Sequence, residues 1–228
     1  LRYAQLPRGR ELKRQVRELF NLSYPAAADN LAYGVYQMVL VSFIARFDVL
    51  MVLARSFTLA LSSFITVVLM ALTQGNEVMV GYRYGAGRMD EVYRCAMKAA
   101  AIATALTTLL SLVLYLNAQW LFGLFTAQSA IINLGRELLW LTVFVQPASA
   151  LNTILFHSLK TLGDVHVPVI ATQVMMWGLS LPLAWWFAVV LEQGVIGIWW
   201  VLLIEESLKA LFLLYRWSSF FPKRVTEE

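Results

Sequence analysis

The feature that most constrains this chain is a succession of apolar runs, each about as long as a bilayer is thick. Of its 228 residues 60% are hydrophobic and only 14% charged, too few polar groups to cover the surface of a soluble domain. Roughly 20 apolar residues cross a membrane as a helix. The runs fall near residues 20–45, 49–74, 92–116, 138–159, 165–191 and 195–215. They are continuous rather than alternating, which excludes a transmembrane β-barrel. The expected fold is all-α: a polytopic membrane protein, a bundle of about six transmembrane helices.

The positions of the basic residues set the expected orientation. Arg2, Arg8, Arg10, Lys13, Arg14 and Arg17 precede the first run, Arg83, Arg88, Arg94 and Lys98 lie between the second and third, and Lys160 follows the fourth. Arg216, Lys223 and Arg224 follow the sixth, whereas the opposite side offers only Arg46, Arg55 and Arg136. The positive-inside rule then places both termini in the cytoplasm. Three zones are expected: a basic leader over residues 1–19, a transmembrane lobe over 20–217 and a cytoplasmic tail over 218–228. Residues 10–20 are amphipathic and are expected to lie on the inner membrane surface. The first residue is Leu1 and the leader is a poor match to a signal peptide, so a clipped or excerpted N-terminus is expected.

Tryptophan supports the same layout. Trp120, Trp185, Trp186, Trp199 and Trp200 are expected at the outer interface and Trp217 at the inner one. The net charge of +4 reads as attraction to anionic headgroups, with no nucleic-acid partner. The one cysteine, Cys95, has no partner in the chain, so neither a disulfide nor a cysteine metal site is expected.

Ionisable groups inside a span are costly and mark function by default. Asp29 leads, one turn after Pro25, with Tyr33, Tyr36 and Gln37 following at helical spacing. An acid beside aromatic rings suits a cationic, ring-bearing substrate or a coupling proton or sodium ion; a carboxylate held for structure near the interface is the competing reading. In the second span Thr58, Ser62, Thr66, Thr73 and Glu77 form a polar stripe, read chiefly as hydroxyls bonding back to their own helix. Gln146, Pro147, Ser149 and Asn152 interrupt the fourth span, as in a broken helix that lines a cavity or in a passive kink. Glu205 and Glu206 precede Lys209 by four and three residues, an order that favours an intrahelical ion pair. One of the two acids would then be left for proton handling.

His157 and Ser158 raise the thought of a hydrolase. Neighbouring residues point about 100° apart on a helix, no Gly-x-Ser-x-Gly elbow is present, and His157 and His166 by themselves make a weak metal site. An enzyme is not expected, and no metal or cofactor.

The segment Val80-Gly81-Tyr82-Arg83-Tyr84-Gly85-Ala86-Gly87-Arg88-Met89-Asp90-Glu91 resembles the loop that follows the second helix of each lobe in the multidrug and toxic-compound extrusion (MATE) family. Gly85 and Gly87 would allow a sharp turn there and Asp90 would cap the next helix. Three further stretches are similar to that family in the same order: Pro-Ala-Ala-Ala-Asp-Asn at residues 25–30, Ser-Leu-Lys-Thr-Leu-Gly-Asp ending in Gly163 and Asp164 with Pro168 after it, and the final run with Gly197, Trp199, Glu205, Glu206 and Lys209. Lys209 stands where the family often has arginine. Family members carry twelve helices in two such lobes, so the resemblance implies one lobe, the C-terminal half, with the leader similar to the inter-lobe linker.

What the resemblance implies is antiport or efflux of organic cations, drugs or related metabolites, driven by H+ or Na+, in a bacterial inner membrane. The expected partners are a small cationic or aromatic substrate, the lipid bilayer, and a second six-helix lobe or a homodimer partner. The substrate and ion residues would be Asp29, Tyr33, Tyr36, Gln37, Gln146, Asn152 and Glu205. Two alternatives remain: a flippase for lipid-linked precursors, disfavoured because only Arg55 among the arginines falls inside a span, and an incomplete lobe without transport.

Overall fold

The computed structural model describes residue 14 and residues 31–225, with side chains up to residue 221. Asp29, residues 25–30 and the rest of the leader therefore lie outside the described residues. The chain divides into two compact units, Leu1–Val39 and Leu40–Glu228, and the bundle described below belongs to the second.

Every described regular element is helical. α1 is described over Leu31–Ile44, α2 over Val49–Gly85, α3 over Met89–Leu116, a short α4 over Ala118–Gly123 and α5 over Ser129–Thr161. α6 runs over His166–Val190 and α7 over Gly194–Val225. Among the described residues α2, α3, α5 and α6 are long and apolar enough to cross a membrane. α7 has the length, at 32 residues, and differs from them by carrying Glu205, Glu206 and Lys209 together in its middle. Along α2, large apolar side chains such as Phe64 and Val67 are about 70% exposed, the surface expected of a helix whose solvent is lipid.

Several expected boundaries move. α2 continues eleven residues past the expected end at residue 74, so Val80–Gly85 is helix and only residues 86–88 turn. Arg88, not Asp90, occupies the cap position of α3, and Asp90 and Glu91 lie in its first turn, where the helix dipole favours acids. α5 begins at Ser129, nine residues early, which takes Arg136 and Glu137 into the helix, and Trp120 sits on α4 instead of in an open loop. Helix α7 carries on through residues expected to form the tail.

The turns explain two of the glycines. Gly87, with φ of 72°, donates to Tyr84 while Arg88 donates to Arg83; Gly163, with φ of 86°, donates to Lys160 while Asp164 donates to Leu159. Both are Schellman closures with the left-handed residue that glycine supplies without steric cost. Gly85 is still helical. Pro168 falls in the first turn of α6, where a missing amide costs nothing.

Helix α5 is the centre of the bundle, packing against α2, α3 and α7. The core is layered along it: Val80, Val92, Ala96, Leu155, Leu159, Leu213 and Trp217 at the end that carries the basic turns, then Leu69, Ala100, Ala103, Ala150 and Ile154, then Leu61, Ala118, Phe122 and Leu139 at the far end. The buried face of α3 is Ala96, Ala100, Ala103, Thr107 and Ser111. Small residues at that spacing let backbones approach closely, the main source of attraction between helices in lipid.

Candidate functional site

The polar stripe of α2 behaves largely as a set of local bonds. Thr58 donates to the Ala54 carbonyl at 2.7 Å, Thr66 to Ser62 at 3.3 Å and Thr73 to Leu69 at 2.8 Å. Two residues at its foot do more. Asn76 Nδ2 donates to Ser158 Oγ at 2.8 Å, and Glu77 Oε1 lies 2.8 Å from His157 Nδ1. Consecutive residues on α2 thus meet consecutive residues on α5. The carboxylate that sequence spacing did not offer His157 is supplied from 80 positions away. His157 and Ser158 point to different partners, which removes the hydrolase arrangement, and no group of three metal-type ligands occurs among the described residues.

The second constellation is deeper. Lys209 pairs with Glu205 one turn back and reaches Glu206 at 3.5 Å. Asn152 Nδ2 on α5 donates to Glu206 Oε2 at 2.9 Å, and Ser180 Oγ on α6 donates to Glu205 Oε2 at 2.5 Å. The expected ion pair therefore forms, but neither acid is left over, because the one ammonium serves both. Glu205 is 2% exposed. It lies eleven residues from each of Gly194 and Arg216, about 16 Å of helix rise on either side.

Local sequence explains how three helices deliver these groups to one place. Pro147 stands inside α5 and deprives the Val143 carbonyl of its helical donor, one turn before Asn152. In α6, Met175–Ser180 and Trp186–Val190 are π-helical and flank Leu181–Trp185. Such wide turns recur at functional sites because they rotate the following side chains off the α-helical register. Ser180 closes the first of them. No periodicity in the sequence signals this, and Ser180 was not among the expected site residues.

The remaining expected residues are placed as follows. Tyr33 and Tyr36 lie on α1 with ring centroids 6.4 Å apart, and Gln37 is on the next position of that helix. Gln146 is half-buried on α5, and its side chain does not enter the hydrogen bonds that join Asn152 to Glu206. Asp164 accepts from Arg216 Nε at 2.7 Å, tying the α5–α6 turn to α7. The tryptophan belts need correction. Trp120, Trp185, Trp186 and Trp200 are exposed, but Trp199 is buried with its indole donating to Thr142 at 3.0 Å, and Trp217 is buried in the core.

Four helices long and apolar enough to cross a membrane, packed with a buried ionic cluster between α5, α6 and α7, define a polytopic integral membrane protein. A sequence model of the MatE family matches residues 25–186. The uncharacterised transporter YisQ of Bacillus subtilis (strain 168) is 30% identical over 207 residues, which take in 91% of this chain and 46% of YisQ. The multidrug resistance protein NorM of Burkholderia vietnamiensis is 27% identical, over 87% of this chain and 44% of NorM. Among solved structures, the Vibrio cholerae MATE transporter VcmN in its bent form superposes with a TM-score of 0.81 at 20% identity, covering 89% of this chain and 46% of that one. The MATE transporter ClbM in complex with Rb+ does so at 0.79 and 20%, covering 90% and 49%. The chain belongs to the MatE family, whose members are membrane transporters and not enzymes. It spans slightly under half the length of these relatives.

Proposed function

We propose that this chain is one lobe of a secondary active transporter that exports organic cations, drugs or related metabolites in exchange for H+ or Na+, working with a second six-helix lobe or a second copy of itself in a bacterial inner membrane. The observation that carries the reading is the charge balance of the α5–α6–α7 cluster. Two carboxylates share the Lys209 ammonium in a buried cluster, so gain or loss of one proton or sodium ion changes the charge that the cluster carries. Ionisable groups buried in a membrane bundle are costly to charge, which ties the occupancy of such an ion to the conformation around it. Moving between neutralised and charged states is what couples an ion to alternating access.

Glu205 is the leading coupling residue, with Asn152 and Ser180 positioning the two carboxylates. Asp29, with Tyr33, Tyr36 and Gln37, is the second part of the proposal and serves the cationic substrate or a further ion. The test uses the complete protein in lipid vesicles, following a fluorescent organic cation with an imposed proton or sodium gradient. Wild type is expected to move the cation only with one of the gradients, and E205Q and D29N to insert normally while losing gradient-driven transport. Gradient-independent movement by wild type overturns antiport; full coupling in E205Q removes the cluster from it.

A further inference from the structure

We infer that the groove between α2 and α3 is a binding site for one anionic phospholipid, with the phosphate at its basic mouth and an acyl chain along its floor. The groove has a volume of about 500 Å³, within the range of sites that hold a small ligand. Arg83, Arg94 and Lys98 line it at one end together with the single acid Glu91, and Ala71, Leu72 and Ile102 at the other. From residue 71 to residue 83 the helix rises about 18 Å, so the cationic and apolar ends are separated as the head and tail of a lipid are. Ile102 and Met79 are 59% and 43% exposed, so the groove is open along the outer side of both helices.

Charge complementarity names the occupant. Glu91 forms ion pairs with both Arg83 at 3.5 Å and Arg88 at 3.6 Å. Among the described residues Arg94 and Lys98 have no ion pair and stay exposed, leaving two cations for an anionic group. Partway down, Gly75, Asn76 and Met79 line the groove, and Asn76 is fully buried, its amide held by Ser158 of α5. The leader is a poor competitor for this place, since residues 1–19 hold six cations against two acids. The inference needs only that the α2–α3 turn lie at a membrane surface, and it holds whatever the transporter carries.

The test is native mass spectrometry of the full chain released from mixed micelles of phosphatidylglycerol and phosphatidylcholine. Wild type is expected to retain one phosphatidylglycerol about tenfold in preference to phosphatidylcholine, and R94Q/K98Q, both exposed positions, to lose the preference. G75L adds a side chain where a Cβ meets nothing within 4 Å, so it fills the groove with the charges intact and is also expected to lose retention. Cys95, in the groove wall, is expected to react several-fold more slowly with a neutral maleimide in phosphatidylglycerol nanodiscs than in phosphatidylcholine ones, in wild type only. Equal retention by wild type and R94Q/K98Q overturns the site, and so does full retention by G75L, which would reduce it to surface attraction. Displacement of the lipid by millimolar inorganic phosphate overturns the lipid as occupant.

Discussion

His157 on α5 faces Glu77 on α2 at 2.8 Å, and the residues beside them, Ser158 and Asn76, make a second bridge of the same length. Adjacent positions diverge by about 100° around a helix, so the two bridges straddle the line of contact and fix both the rotation and the height of α2 against α5. Interhelical polar pairs in membranes contribute roughly 0.6–2 kcal/mol each. A double-mutant cycle of E77Q and H157Q, read by thermal unfolding in detergent, is expected to show coupling in that range. Strict additivity of the two losses would mean that the pair is only a proximity of two solvated groups.

Removing Lys209 should be worse than removing the whole cluster. K209M leaves two carboxylates buried without their cation, and breaking a buried pair from one side costs about 3–5 kcal/mol. The triple variant E205Q/E206Q/K209M carries no charge and keeps amide partners for Asn152 and Ser180. It is expected to recover most of the melting temperature lost by K209M. If the triple variant melts at or below K209M, the ammonium is not what balances the acids.

Two glycines close helix crossings in different ways. A Cβ on Gly135 would overlap the ring of Phe122, which is fully buried, whereas one on Gly197 would stand 2.8 Å from the backbone carbonyl carbon of Phe187. Overpacking a core costs about 1–3 kcal/mol. G135A is expected to destabilise by that amount and to be rescued by F122L, which shortens the obstructing side chain. G197A should gain nothing from any change at position 187, because a side-chain substitution leaves the backbone in place. Equal response of the two glycines to their neighbours' truncation would contradict this assignment.

Arg216 holds the turn after α5 through Asp164, and that hydrogen bond, against a smaller opposing effect of burial, raises its pKa above the ordinary arginine value. A raised cationic pKa gives stability that is fully present below the unfolded value and is lost only as pH rises through the higher folded one. Both lie beyond the working range, so titration of Arg216 contributes no pH dependence between pH 5 and pH 9, in the alkaline window alone does it act. R216Q is expected to cost up to about 1 kcal/mol, the size of a partly exposed pair, and to speed protease cleavage near Gly163. Unaltered cleavage at that turn would show that the Schellman closure holds it unaided.

How much of this was legible beforehand follows from the reach of helical periodicity. Apolar runs and the absence of strand alternation determine an all-helical membrane protein, because lipid leaves the backbone no other partner than itself. The spacing of Glu205, Glu206 and Lys209 determines their pairing, since residues three and four apart share a helix face. Periodicity says nothing about the height of one helix against another. That register brought Glu77 to His157, Asn152 to Glu206 and, through a π turn in α6, Ser180 to Glu205. It also buried Trp199 and Trp217, which the position of tryptophan near span ends had assigned to the interface. A helix carries its own pattern in its sequence, but which face meets which neighbour is settled by the packing of small residues and buried polar groups between helices, and only the tertiary structure decided that.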